Sequence, residues 1–175
     1  MDKSIRDKYT VVIGLEVHAQ LLTKSKIYNS DSAEYGGAPN THISVITLAH
    51  PGTLPKLNKK VAEFAMKMGL ACSCEISRYQ IFDRKNYFYP DLPKGYQLTQ
   101  DRTPICKGGF IIISGKGGEK SIPLNRIHIE EDAGKSIHLE GETDTLLDFN
   151  RSGVALIEIV TEPALRSSED AGALV

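Results

Sequence analysis

Arg126-Ile127-His128-Ile129-Glu130-Glu131-Asp132-Ala133-Gly134-Lys135 is the stretch on which the reading of the chain turns. Ile127 and Ile129 alternate with Arg126, His128 and Glu130, the period-two pattern of a strand with one wet face. Glu131 has the opposite parity, and Asp132-Ala133-Gly134 marks a break after it. Three successive carboxylates are hard to place, because two unit charges about 4 Å apart repel by roughly 1 kcal/mol in water and about 4 kcal/mol at an effective dielectric near 20. The run is either a solvated strand end or is held by a cation. The choice depends on whether other strands bring carboxylates and imidazoles to the same place.

Two other stretches offer such residues. In Val11-Val12-Ile13-Gly14-Leu15-Glu16-Val17-His18, one face is Val11, Ile13, Leu15 and Val17, and the other ends in Glu16 and His18. Those two residues lie roughly 6.5 to 7 Å apart along a strand and can converge on one ligand, although an exposed Glu/His pair is the plainer reading. In Leu156-Ile157-Glu158-Ile159-Val160, a single Glu interrupts an apolar run. Burying it alone is expensive, so Glu158 is paired, coordinated or at an edge.

The chain has 175 residues, 41% of them hydrophobic and 25% charged, with a net charge of -1. These values fit a globular protein with one domain of ordinary size, or a domain and part of the next. Lys and Arg are scattered, so there is no electrostatic footprint for nucleic acid, and any RNA contact needs a specific site. No run approaches the ~20 apolar residues of a membrane span. Met1 to Thr10 is too polar for a signal peptide, and residues 1–9 read as loose. Three cysteines, Cys72, Cys74 and Cys106, form no disulfide framework and point to a reducing, cytosolic compartment. One C-x-C pair and a single partner fall short of the four ligands of a zinc site.

Elsewhere, Leu21 to Gly52 is turn-rich with room for at most one strand, Ile43 to Leu48. Asn58 is placed to cap a helix from Lys59 to about Leu70, whose Val61, Phe64, Ala65 and Met68 form a buried stripe. Phe110 to Ser114 and Glu119 to Leu124 form a hairpin around Gly115-Lys116-Gly117-Gly118, which lacks the spacing of a phosphate loop. Leu146 to Phe149 and Ala155 to Thr161 are further strands. Ser167 begins a short helix near the end, and the expected organisation is a catalytic domain over 1–163 followed by the start of a further helix over 164–175. Phe82-Asp83-Arg84-Lys85-Asn86-Tyr87-Phe88-Tyr89-Pro90-Asp91-Leu92-Pro93-Lys94-Gly95-Tyr96 packs aromatic rings and both charge signs together, while its prolines and glycine forbid a long helix. It presents polar side chains at fixed positions or is simply a rigid surface loop.

Ile13 to His18, Phe82 to Asp91, His128 to Lys135, Asp148-Phe149-Asn150-Arg151 and Leu156 to Pro163 resemble, in order and almost end to end, the N-terminal part of the B subunit of the tRNA-dependent amidotransferases. The resemblance implies an α+β fold, with an antiparallel sheet forming an active-site cradle like that of glutamine synthetase and the guanidino kinases. It implies ATP-dependent amidation of glutamyl-tRNA(Gln) or aspartyl-tRNA(Asn) through an acyl phosphate, with magnesium, or manganese in its place, and ammonia drawn from glutamine by an amidase A subunit. The enzyme class is a carbon-nitrogen ligase, working with the A subunit, a small C subunit and misacylated tRNA.

Carried over by position, Glu16, His18, Glu130 and Lys85 are catalytic candidates. Glu16, His18, Glu130, Glu131 and Glu158 are metal candidates, a mostly oxygen-donor set that suits magnesium. Asp83, Arg84, Asn86 and Tyr89 resemble the substrate and ammonia route, and Lys135 and Arg151 are placed to neutralise phosphate. The cysteine set is one ligand short of the zinc site some relatives carry. The family's helical and tail domains lie outside this sequence, so the fragment alone is expected to be inactive. The competing functions are another metal-dependent phosphoryl-transfer enzyme or hydrolase, and a noncatalytic docking module for the A subunit.

Overall fold

Apolar residues fill β10 (Ala155–Thr161) almost without a break, as expected of a strand covered on both sides, and it sits inside a six-stranded antiparallel sheet. The structure is a computed structural model that describes residues 7–115 and 118–175. Most of the loose start, residues 1–6, and the Lys116-Gly117 turn lie outside the described residues.

The sheet runs β1 (Glu16–Gln20), β10, β7 (Gly118–Glu131), β5 (Cys106–Lys107), β2 (Glu75–Ile76). β6 (Phe110–Gly115) pairs with the first half of β7. The hairpin strand and the Arg126–Glu130 strand, expected as two, are therefore one continuous fourteen-residue strand. Two smaller antiparallel pairs, β3 (Asp83–Asn86) with β4 (Tyr96–Thr99) and β8 (Lys135–His138) with β9 (Thr145–Asp148), flank the sheet. The result is an α+β fold with antiparallel pairing throughout.

Helix α1 (Lys59–Ala71) begins where Asn58 Oδ1 accepts from the Lys60 N–H at 2.9 Å. Its buried Val61, Ala65 and Gly69 press on one face of the sheet, where Ile127, Ile129, Ile157 and Ile159 join Ile27 and Tyr28 in the main core. The opposite face of the same strands carries His18, His128, Glu130 and Glu158, with Leu156 and Val160 beside them. A second helix, α2 (Ser168–Leu174), starts at Ser167, whose Oγ accepts from the Asp170 N–H at 3.1 Å.

Two expected strands differ. The strand expected over Val11 to His18 is regular only from Glu16. Beyond that point Thr161 Oγ1 takes the Leu15 N–H, Gly14 lies against Pro163, which has no N–H to offer, and only an isolated bridge joins Ile13 to Leu165. Ile43 to Leu48 is a coiled turn, with Leu48 N–H to Ser44 O and His50 N–H to Val45 O, and no strand among the described residues pairs with it.

The three cysteines are buried, reduced and apart from any metal-sized grouping among the described residues. Burial pushes the Cys74 thiol up to about 11 and that of Cys106 to about 12. Gly109, at φ +85°, fits beneath them: an added Cβ would lie 2.4 Å from the Cys72 carbonyl oxygen and 2.6 Å from Cys74 Sγ. Gly109→Ala is expected to destabilise the fold by about 3 kcal/mol, combining left-handed backbone strain and overpacking. Urea denaturation tests this, and an unchanged midpoint would refute the packing described.

Candidate active site

Register places the polar groups of the sheet's open face. His18 lies opposite Glu158, and Glu158 lies opposite His128, so these three form one row across β1, β10 and β7. Glu130 is in the next row, two residues along β7 on the same face, and leans toward the first. His18 Nε2 stands 3.1 Å from Glu130 Oε2 and 3.3 Å from Glu158 Oε2. His128 Nε2 is also 3.3 Å from Glu158 Oε2, on its other side. Arg126 Nε donates to His128 Nδ1 at 3.4 Å, which leaves the Nε2 hydrogen for Glu158.

His18, Glu130 and Glu158 present ligand atoms all within 4.8 Å of one another. The carboxylates are buried and the imidazole is half exposed, so the group opens to solvent on the His18 side. Lys85 of β3 sits at the rim with Nζ 3.9 Å from Glu130 Oε1.

The two carboxylates are driven apart. Burial, and then the charge of Glu158, raise the Glu130 pKa against the pull of His18 and Lys85. The hydrogen bond from His128 lowers Glu158 to about 2. Glu158 is therefore the more acidic of the two, and burial disfavours the charged form of Glu130. Glu130 Oε1 is buried without a hydrogen-bond partner. A divalent cation fits this set: it would offset the repulsion between the two carboxylates and gain one nitrogen and two oxygen donors.

Residues 11–175 match the model of the GatB/GatE catalytic domain. The chain belongs to this family. It is 60% identical over 163 residues to the B subunit of the aspartyl/glutamyl-tRNA(Asn/Gln) amidotransferase of Caldicellulosiruptor saccharolyticus, covering 93% of this chain and 34% of that one. The B subunit of the Clostridium tetani amidotransferase is 58% identical over 161 residues, 91% of this chain and 33% of that protein. The one from Thermoanaerobacter pseudethanolicus is 55% identical over 164 residues, with 94% and 34% covered. The chain thus spans about a third of the length of the curated relatives it matches.

In this GatB/GatE domain the remaining candidates separate. Glu16 lies opposite Val160, one row beyond His18 and two rows, roughly 13 Å along the strands, from that of Glu130. It is exposed and outside the three-residue group. Glu131 projects through the other face of β7, where Lys94 Nζ grips both of its oxygens and the Leu98 N–H donates at 2.9 Å. With Tyr28, Thr47, His50 and Gly153 this pair lines a cavity of about 150 Å³.

Asp83 accepts from the Asp101 and Arg102 N–H groups, which hold its carboxyl below the usual range, so it fixes a turn. Arg84 lies over the Tyr96 ring at 4.6 Å. Asn86 ends β3, and Tyr89 is exposed in the loop that follows. Arg151 donates to the Ala133 and Gly134 carbonyls and clamps the turn after β7, while Lys135 is exposed at the start of β8. Sequence reasoning left His128 out of the site although its parity was legible, and it left out Lys94, whose contact with Glu131 spans 37 positions and carries no local signal.

The chain also buries Lys26 completely. Its Nζ donates to the Phe149 carbonyl at 3.3 Å, and burial lowers its pKa to about 8 against the pull of Asp31 and Asp148. No helix among the described residues is long and apolar enough to cross a membrane.

Proposed function

We propose that this chain is the part of a tRNA-dependent amidotransferase in which a misacylated glutamyl or aspartyl side chain is activated and amidated. The relatives' name and the buried, unpartnered Glu130 Oε1 beside His18 and Glu158 support this reading, and the second observation carries it. A γ-phosphoryl group passes from ATP to a side-chain carboxylate oxygen of the aminoacyl-tRNA, giving an acyl phosphate and ADP. Ammonia nitrogen then attacks the carbonyl carbon, and the C–O bond to phosphate breaks to give the amide. Ammonia comes from glutamine through the amidase A subunit, in an assembly that includes the small C subunit, and the cradle-like sheet is arranged as in glutamine synthetase and the guanidino kinases.

His18, Glu130 and Glu158 would hold magnesium, with manganese as a substitute, and Glu16 stands one row away. The cation supplies charge neutralisation for phosphoryl oxygens. The protein's own part is electrostatic. His128 and Arg126 keep Glu158 ionised and oriented, and Lys85 brings positive charge to the rim of Glu130. Asp83, Arg84, Asn86 and Tyr89 shape the substrate and ammonia approach from the β3–β4 side, and Lys135 and Arg151 border it from the β7–β8 turn.

Phosphate release that depends on both glutamyl-tRNA and ATP, measured in the intact amidotransferase, tests the proposal. Glu130→Ala is expected to reduce that release at least about 100-fold, and release at the unsubstituted rate would overturn it.

A further inference from the structure

At Arg126 and Ile127 β7 has a paired strand on both edges, and beyond them on one edge alone. On one edge β10 continues opposite Glu130 and Glu131, but on the other β5 stops after pairing with Arg126 and Ile127. Backbone groups of alternate residues point to the same edge. Because Ile127 faces β5, the N–H and C=O groups of Ile129 and Glu131 also face that way, with no strand to receive them.

Two buried amide side chains occupy the missing strand's place. Gln100 Oε1 accepts from the Ile129 N–H at 3.1 Å and from the Ile105 N–H at 3.2 Å, while its Nε2 donates to Gln80 Oε1 at 3.2 Å. Gln97 Nε2 donates to the Glu131 carbonyl. Gln100 is fully buried and Gln97 nearly so, and between them every described polar atom of Gln100 is used. Glu130 lies between the two anchored residues. Its own backbone faces β10, opposite Leu156, so its position depends on both edges.

We propose that Gln97 and Gln100 are positioning residues that stand in for a strand along the end of β7 and hold Glu130 in reach of His18 and Glu158. The part that concerns a cation rests on the reading given under Proposed function; the holding of the strand does not. The two glutamines partner the Ile129 N–H and the Glu131 carbonyl in less width.

The test uses Gln100→Met and the milder Gln97→Met in the intact protein, with amide hydrogen exchange of the metal-free form and Mn²⁺ binding followed by electron paramagnetic resonance. Exchange at Ile129 is expected to rise at least about tenfold in Gln100→Met, with Ile157 in β10 unchanged. Mn²⁺ affinity is expected to fall about tenfold in each variant, the range for residues that support a ligand without touching the metal. Gln97→Met keeps the test open if Gln100→Met fails to fold. Unchanged exchange at Ile129 would show that the glutamine does not hold the strand, and faster exchange with Mn²⁺ affinity held within about twofold would show that holding it does not position Glu130. If the unsubstituted protein binds no Mn²⁺, the cation reading itself falls, and the positioning for it too. That outcome is recognisable because it appears before any substitution.

Discussion

Glu130→Gln is expected to weaken Mn²⁺ binding at least about 100-fold, a loss of about 2.8 kcal/mol, while Glu16→Ala changes it by less than about threefold. The asymmetry follows from register. Glu130 is buried and offers a ligand atom within 4.8 Å of those of His18 and Glu158, whereas Glu16 is exposed and one row removed from His18. Gln keeps the shape of the side chain and removes its charge, so the loss reports on electrostatics rather than on a cavity.

The pH dependence has a definite sign. The raised pKa of Glu130 means that the folded, cation-free protein holds this proton more tightly than the unfolded chain does. Its contribution to stability is therefore lost as pH rises above the ordinary carboxylate value of 4.5 through the raised one. A cation needs the deprotonated form, so Mn²⁺ affinity and the Mn²⁺-induced rise in Tm should both increase with pH across that window, and Glu130→Gln should make the increase shallower. Equal Mn²⁺ affinity in Glu130→Gln and the unsubstituted protein would remove Glu130 from the site.

Lys94→Met is expected to cost about 3–5 kcal/mol of folding stability, the range for removing one partner of a buried ion pair. Glu131 is buried, and Lys94 grips both its oxygens while lying over the rings of Tyr28 and Tyr96 at 5.5 and 5.4 Å. Without the ammonium, the carboxylate retains the Leu98 N–H and faces the apolar side of the sheet. Adding Glu131→Gln to Lys94→Met removes the stranded charge and should recover at least half of the loss. Urea denaturation of the two single variants and the double variant gives the coupling. A single-variant loss below about 1 kcal/mol would mean that the pair behaves as a surface ion pair.

Much of this was legible in local pattern. The strand at Ala155–Thr161, the Asn58-capped helix and the β6–β7 hairpin all follow from periodicity and turn chemistry, which act within a few residues. Parity alone set Glu130 and Glu131 on opposite sides of one strand. Sequence could not show which strands lie side by side. The order β1-β10-β7 brings positions 18, 158 and 128 into one row, and that adjacency is decided by packing across the whole chain. The same reason hides Lys94, Gln97 and Gln100, which act on residues 29 to 37 positions away. Where the expected strand over Val11 to His18 fell short, the cause also lay far off, at Pro163.

β7 runs as one strand from Gly118 to Glu131 with a single register shift against β10 between Leu124 and Arg126, and its hairpin end is pinned by six pairings to β6. Adding or deleting one residue between Ile122 and Ile127 would turn its far end over, sending the charge now at 131 to the imidazole face and the one now at 130 toward Lys94. The chemistry of both faces is therefore written in the length of one strand, and this segment should tolerate substitutions far better than changes in length.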